Sequence, residues 1–349
     1  MRFFLSSIII LLLVSACSDD DMDLKAFESF EEGMYVINRG NEGLTNGSVS
    51  YYLPGCKQGT HGIFLENNST PIPGVLRDLA FTGAGEVLLL LPDRIIIADE
   101  NSFVQVDEVT GFENAQQIEV LSPNKAYVSK YNGPGTGFGI MVLDISARSF
   151  VDSLLPAKSV SKLTVFGSTV FTANSGGAFV DSTVSMINAI SDEELGTFTV
   201  GPRPVDFEID KNGDLWTLCE GVIIDPTDPE DPSNIPGRLV QSSLGQILSS
   251  FSLGAGARNL VIDNVGENLF FVNRGWTYEL NINANVLPSV PFQSFGFNGY
   301  NVDPENNILV GCNAGTFEDR GEIWLYDLNV RDTLGTFQVG VVPLEVVFR

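Results

Sequence analysis

Pro204-Val205-Asp206-Phe207-Glu208-Ile209-Asp210-Lys211-Asn212-Gly213-Asp214-Leu215-Trp216 places short alternating runs on either side of Lys211-Asn212-Gly213. Two strands joined by a tight turn read this way. The pattern returns at Asn259-Leu260-Val261-Ile262-Asp263-Asn264-Val265-Gly266-Glu267-Asn268-Leu269-Phe270 and at Tyr300-Asn301-Val302-Asp303-Pro304-Glu305-Asn306-Asn307-Ile308-Leu309. Two more strands follow the first and third copies: Arg238 to Ser242 with Ile247 to Leu253, and Glu322 to Leu328 with Leu334 to Val339. Four strands per unit at a period in the forties predicts the blade of a β-propeller. Second-strand ends align at Asn38, Leu91, Lys130, Asn174, Glu220, Asn273 and Asn313, which makes seven units. Asn38 and Asn313 are 275 residues apart over six intervals, about 46 residues per unit.

The two ends of the pattern are complementary. Pro343-Leu344-Glu345-Val346-Val347-Phe348 reads as a first strand with no second strand after it, and Met34-Tyr35-Val36-Ile37-Asn38 as a second strand with no first before it. Pairing them closes the ring and removes two exposed strand edges. The expected fold class is therefore all-β: a seven-bladed β-propeller of four-stranded antiparallel blades over residues 33–349, closed by pairing the C-terminal strand with the N-terminal blade. No stretch has a convincing helical period, and no linker divides the chain.

The 349 residues are 44% apolar, enough for a sizeable core, and Gly 35, Pro 17 and Phe 24 describe a turn-rich, strand-like chain. With 19 Lys+Arg against 44 Asp+Glu the net charge is -25, which excludes a nucleic-acid partner, since such binding needs a basic footprint. A single histidine, His61, excludes multi-His zinc sites and leaves any Ser/His/Asp relay one possible centre.

Residues 1–16, with Arg2 and the apolar run Ile8 to Val14, read as a signal peptide too short to span a bilayer as a stable helix. Val14-Ser15-Ala16-Cys17 resembles the lipobox of bacterial lipoproteins, which implies cleavage before Cys17 and its lipidation. Ser18-Asp19-Asp20-Asp21 resembles the export signal of surface lipoproteins of Bacteroidota, which implies the outer face of the outer membrane. Residues 17–32 read as an acidic flexible tether. Cys56, Cys219 and Cys312 are expected as buried free thiols, since three cysteines cannot all pair and none stands at metal-ligand spacing.

In such a ring the loops before first strands and after second strands share one face, and the long, varied loops here are those after second strands. The candidate ligand residues on that rim are Asn38, Arg39, Lys130, Tyr131, Asn174, Glu220, Asn273, Arg274, Trp276 and Asn313, joined by Arg77, Arg203 and Arg258 from the segments before first strands. Amides, scarce cations and aromatic rings suit a polar solute with many hydrogen-bonding groups. No catalytic residue, cofactor or metal is assigned. Asp210 to Asp214 matches the start of a calcium loop, but Gly221 stands where the bidentate Glu belongs, and a hairpin turn is expected. Asp225 to Pro232 reads as a solvated, Pro-rich acidic insertion.

The blade pattern resembles the YncE-like or YVTN-type seven-bladed propellers. Together with the lipoprotein signal and Tyr35-Val36-Ile37-Asn38-Arg39-Gly40-Asn41, it is similar to the propeller lipoproteins of Bacteroidota, among them the BtuG-like proteins. That resemblance implies a surface protein anchored only by lipid, which captures cobalamin or another small-molecule ligand and passes it to a TonB-dependent transporter. Two alternatives stand beside it. One is a lactonase- or lyase-like enzyme with a divalent metal on Glu220, Asn174 and Asn273; the other is a structural or adhesive surface protein.

Overall fold

The computed structural model describes residues 30–54, 58–132, 137–156, 158–177, 179–228 and 231–349. Cys17, Cys56, Gly133, the signal peptide and tether residues 17–29 lie outside the described residues. The chain runs through β1 (Met34–Asn38), β2 (Ser48–Leu53) and β3 (Gln58–His61), then a short helix, α1 (Ile63–Asn68). The second blade is β4 (Asp78–Phe81), β5 (Glu86–Leu90), β6 (Arg94–Asp99) and β7 (Gln105–Thr110); the third is β8 (Ala115–Ser122), β9 (Lys125–Lys130), β10 (Phe138–Asp144) and β11 (Ser149–Pro156). The fourth is β12 (Val160–Phe166), β13 (Thr169–Asn174), β14 (Thr183–Asn188) and β15 (Glu194–Thr199); the fifth is β16 (Pro204–Ile209), β17 (Leu215–Cys219), β18 (Arg238–Ser243) and β19 (Gln246–Ser252). The sixth is β20 (Arg258–Ile262), β21 (Asn268–Asn273) and β22 (Trp276–Asn281). The seventh is β23 (Gly299–Val302), β24 (Ile308–Asn313), β25 (Arg320–Asp327) and β26 (Asp332–Val341), and β27 (Pro343–Phe348) returns to the start.

The closing sheet has the order β27-β1-β2-β3, with Met34 opposite Phe348 and Val36 opposite Val346. Innermost strands β27, β4, β8, β12, β16, β20 and β23 each touch the next around the ring. The seven-bladed, all-β expectation and the closure by the two termini both hold. Six of the seven sheets have four strands, and the sixth blade has three. There the chain after β22 carries Pro288 and Pro291, which have no N–H to donate, and its backbone pairing with β22 is reduced to the bridge around Thr277 and Gln293. α1 is a second departure from the expected pattern: Ile63 and Phe64 are buried, so a single turn plugs the gap between the first two blades.

The repeated Asp of the three aligned hairpins has one cause. Asp210 Oδ1 accepts the N–H groups of Asn212 and Asp214, Asp263 Oδ1 that of Glu267, and Asp303 Oδ1 those of Glu305 and Asn306. Each carboxylate closes its own turn, and Gly213 at φ 83 supplies the left-handed residue. Asp210 also receives the Trp216 indole N–H at 3.0 Å, which fixes the buried ring beneath it. The Asp210 segment is a hairpin, as expected, and much of the negative charge is turn chemistry on the face opposite the rim.

Phe30, assigned to the tether from sequence, belongs to the folded body. It is 3% exposed, packs edge-on against Tyr51 and Phe103, and its N–H donates to Asn101 O at 2.9 Å. The two rings waiting on the body, Tyr51 and Phe103, outweigh the polar context that read as spacer. Cys219 and Cys312 are buried free thiols, and burial pushes the Cys219 thiol up to about 12.

The seam between last and first blades is tied by side chains. Gly340 N–H donates to Asn38 Oδ1 at 2.9 Å, Asn38 Nδ2 donates to Ser50 Oγ at 2.9 Å, and Ser50 Oγ lies 2.9 Å from His61 Nδ1. Since Ser50 already accepts from Asn38, its hydrogen is available to a neutral His61 ring. Burial first, and the charge of Arg320 second, lower His61 from 6.5 to about 4. A group held below its unfolded value contributes stability that is complete above pH 6.5 and is lost as pH falls toward 4. Discounted for partial exposure, the expected loss is about 2 kcal/mol. Urea unfolding at pH 7 and at pH 4.5 should show it in the parent protein and not in H61Q; equal losses in both would assign the effect elsewhere.

Candidate functional site

The ends of second strands and the starts of first strands meet on one face, as the sequence predicts, but the side chains there divide into three groups. Asn38 and Asn174 are fully buried. Asn174 Nδ2 donates to Thr183 Oγ1 and Ser185 Oγ at 3.1 and 3.0 Å, as Asn38 donates to Ser50, so both amides lock a second strand to its third and neither is offered to a solute. Asn273 Oδ1 accepts Gly254 N–H at 2.8 Å and Asn313 bonds Glu322 and Gly315 at 3.1 Å each. The recurring Asn is chiefly a strand-end device.

The cations form the second group. Arg39 and Arg77 converge on Glu42, Arg203 stands 3.6 Å from Glu220, and Arg258 and Arg274 are exposed. Lys130 is half-buried at the end of β9, and the Tyr131 hydroxyl lies 3.4 Å from Ser175 Oγ of the next blade. Arg274 and Gly275, at φ 53 and φ 79, form the two central residues of the β21–β22 hairpin, a turn in which both must be left-handed. An arginine there is costlier than an asparagine. The same hairpin holds Trp276, 48% exposed, opposite Asn273.

Two recesses open among these groups. The larger, about 560 Å³, lies between the fifth and sixth blades. Phe271 and Tyr278, stacked with ring centroids 6.2 Å apart, contribute to its lining; Asn273 and Arg274 stand at its edge, and Asp231, Asn234 and Pro236 form one wall. The described ends of the acidic insertion are tied to the body, because Asn234 Oδ1 accepts Ile224 N–H at 2.7 Å and its amide donates to Asp228 O at 3.0 Å. The smaller, about 190 Å³, is the mouth of the central channel, lined by Arg77, Gln116, Ser161, Asn259, Asn298 and Tyr300 among others. Around them the long loops present exposed Leu44, Phe179, Ile223, Ile224 and Phe317.

The smaller recess is also lined by part of a charged cluster that the sequence did not single out, Asp78, Lys162, Asp206 and Glu345. Lys162 Nζ is 3.2 Å from Glu345 Oε1, and Asp78, Asp206, Glu208 and Glu119 act on the same centre. Burial works against the Lys162 ammonium, yet Glu345, Asp206 and Asp78 hold it above the ordinary lysine range. Burial raises the carboxyls in turn: Asp78 and Glu208 go well above the usual carboxylate range, and Glu119 reaches about 7. Asp78 and Asp206 also have a structural duty, since their Oδ2 atoms accept Ile118 N–H and Leu260 N–H of the next blades at 2.9 and 2.8 Å. A signal was available in the charged residue that aligns between Val205-Asp206-Phe207 and Leu344-Glu345-Val346.

The metal-ligand set of the enzyme alternative is not assembled: Asn174 is spent inside its blade, Glu220 faces Arg203 and Asn273 holds Gly254. Among the described residues no group of three or more His, Cys, Asp or Glu side chains is placed to hold a metal ion.

No protein-family profile matches the chain, and no curated protein matches it. Solved structures do. A quinonprotein alcohol dehydrogenase-like protein from Bacteroides thetaiotaomicron is 14% identical, with 92% of this chain and 79% of that one covered at a TM-score of 0.66. A candidate 6-phosphogluconolactonase from Bacteroides fragilis is 11% identical, with 91% and 98% covered at 0.67. A protein from Lactobacillus plantarum is 14% identical, with 91% and 100% covered at 0.65. At these identities the likeness is one of fold.

Proposed function

We propose that this protein is a lipid-anchored capture module of the outer-membrane surface, which binds a bulky polar solute on the rim of its propeller and passes it to a TonB-dependent transporter. Cobalamin or a related corrinoid is the first candidate solute. The observation that carries the reading is the recess of about 560 Å³ between the fifth and sixth blades, within the size range of ligand sites, with Asn273 and Arg274 at its edge and exposed Trp276 on the same hairpin. Asn234, Asn273 and Arg274 supply hydrogen-bonding groups and the half-buried Tyr278 an aromatic surface, which suits a solute with amide side chains on an apolar body, the remainder lying across the exposed loop residues. The Val14-Ser15-Ala16-Cys17 motif supports the anchor, and the acidic run after it supports the surface address.

Calorimetric titration with cyanocobalamin tests the solute. Binding by the parent protein should be weakened about tenfold or more in R274A and in W276A, with melting temperatures unchanged within about 2 °C, because exposed rim side chains add little to the core. Lost stability with unchanged affinity would make Arg274 and Trp276 turn elements only, and no binding by the parent would reject the corrinoid.

A further inference from the structure

We propose that Arg39 and Arg77 form an oxyanion site at the mouth of the central channel, which Glu42 occupies in place of a solute's carboxylate or phosphate group. The inference rests on the preceding reading only in taking the rim as the solute-binding face; it does not require a corrinoid.

Arg39 follows β1 and Arg77 precedes β4, so they come from different blades, and backbone contacts hold them side by side. Leu76 N–H donates to Arg39 O at 2.9 Å, and the two loops are so close that a Cβ on Gly47 would lie 2.5 Å from Gly74 O. Both guanidinium groups then address one atom: Arg39 Nη2 is 2.7 Å and Arg77 Nη2 3.1 Å from Glu42 Oε1. Two cations sharing a single oxygen of one carboxylate are left with a net positive charge. The arginine side chains are 29% and 24% exposed, while that of Glu42 is 63% exposed. Nε of each arginine is buried without an acceptor. Burial first, then the neighbouring Arg39 charge, lower the basicity of Arg77, and Glu42 offsets this only in part.

At Arg77 burial outweighs what Glu42 returns, and a carboxylate as exposed as Glu42 holds the two guanidinium groups only weakly. Glu42 sits in a turn closed by Leu44 N–H to Asn41 O at 3.1 Å, next to Gly43 at φ 78 with open space around it, so the carboxylate can swing away without disturbing a strand. An oxyanion arriving from solvent brings two or three oxygens where Glu42 supplies one, and planar guanidinium forks match it. Arg77 also lines the 190 Å³ recess, whose wall carries Gln116, Ser161, Asn259 and Asn298 and, deeper, Lys162 with the carboxyls of Asp78, Asp206 and Glu345, so an attached body has room there and is held to neutral or cationic polar groups rather than a second anion.

The test titrates the purified full-length protein with inorganic phosphate and, separately, with acetate, at pH 7.5 and fixed ionic strength, following binding by calorimetry. E42Q removes the internal competitor and should bind at least one probe about fivefold more tightly than the parent. R39Q and R77Q should each weaken that probe about tenfold or more. Melting of every variant is measured alongside, and if an arginine variant misfolds, E42Q against the parent decides. A preference for phosphate or for acetate identifies which oxyanion the site takes. Unchanged affinity in E42Q, unchanged affinity in both arginine variants, or no saturable binding of either probe by E42Q would overturn the proposal. Probe binding without cyanocobalamin binding would retain this site and remove the corrinoid reading; cyanocobalamin binding with none of the probe effects would do the opposite.

Discussion

Deletion of residues 342–349 is expected to abolish the cooperative unfolding transition, leaving a protein that melts without a midpoint or aggregates during expression. β27 is the innermost strand of the closing blade, hydrogen-bonded to β1 along its length and packed against β23 and β4. Val346 is fully buried with Met34, Val36, Val310 and Ile323, so its loss empties a core shared by the first and last blades. Arg349 adds a 3.2 Å bond to Phe30 O and lies over Phe81 at 5.2 Å, joining both termini to the second blade. Removing the strand opens a ring whose stability depends on every blade having two neighbours, exposing the hydrogen-bonding edge of β1 and the apolar face of β23 that packs on β27. Calorimetry of the truncated protein beside the parent checks the expectation; an unchanged transition would mean that β27 is dispensable and the ring is held otherwise.

Replacement of Lys162 by Met should cost about 2 kcal/mol at pH 8, from leaving the buried Asp78 and the half-buried carboxylates around it without their partner. Glu345, Asp206 and Asp78 surround the ammonium, and Met keeps the length of the side chain while removing its charge. The pH dependence identifies the cause. Burial raises the proton affinity of Asp78, Asp206 and Glu208, Asp78 and Glu208 well above the usual carboxylate range, and brings Glu119 to about 7. A group so raised contributes stability that is complete below its unfolded value and is lost as pH climbs through the folded value. Taking away the lysine raises them further, so the deficit of K162M should be small near pH 5 and grow toward pH 8. Denaturant unfolding at both values measures it, and a deficit independent of pH would point to lost packing rather than lost charge.

The legible part of the fold was the hairpin. Asp210, Asp263 and Asp303 close their turns through bonds to residues two to four positions away, so the chemistry of the turn is written in adjacent letters. The split blade was legible for a related reason: period-two patterning shows where a strand lacks its neighbour, and the two incomplete units lie at opposite ends of the chain. The missing fourth strand of the sixth blade could have been read from Pro288 and Pro291. α1 could not, because one turn is too short to establish a helical period.

The rim was legible as a location and not as a set of contacts. Strand ends recur every 46 or so residues, and the topology of the ring alone puts them on one face. Whether Asn174 turns into its blade or Arg274 turns out of it depends on third-strand hydroxyls such as Ser185 and on the hand of a two-residue turn, neither of which periodicity encodes. Arg77 beside Arg39 and Glu42, and Lys162 beside Asp78, Asp206 and Glu345, are joined across different blades. The sequence spacing between blades carries no trace of the few ångströms between them. Local bonding and strand periodicity are properties of neighbouring residues and were set by the sequence itself; charge pairing across the axis arises only when the closed ring brings first strands together in a narrow, poorly solvated channel, and that was decided by the tertiary structure.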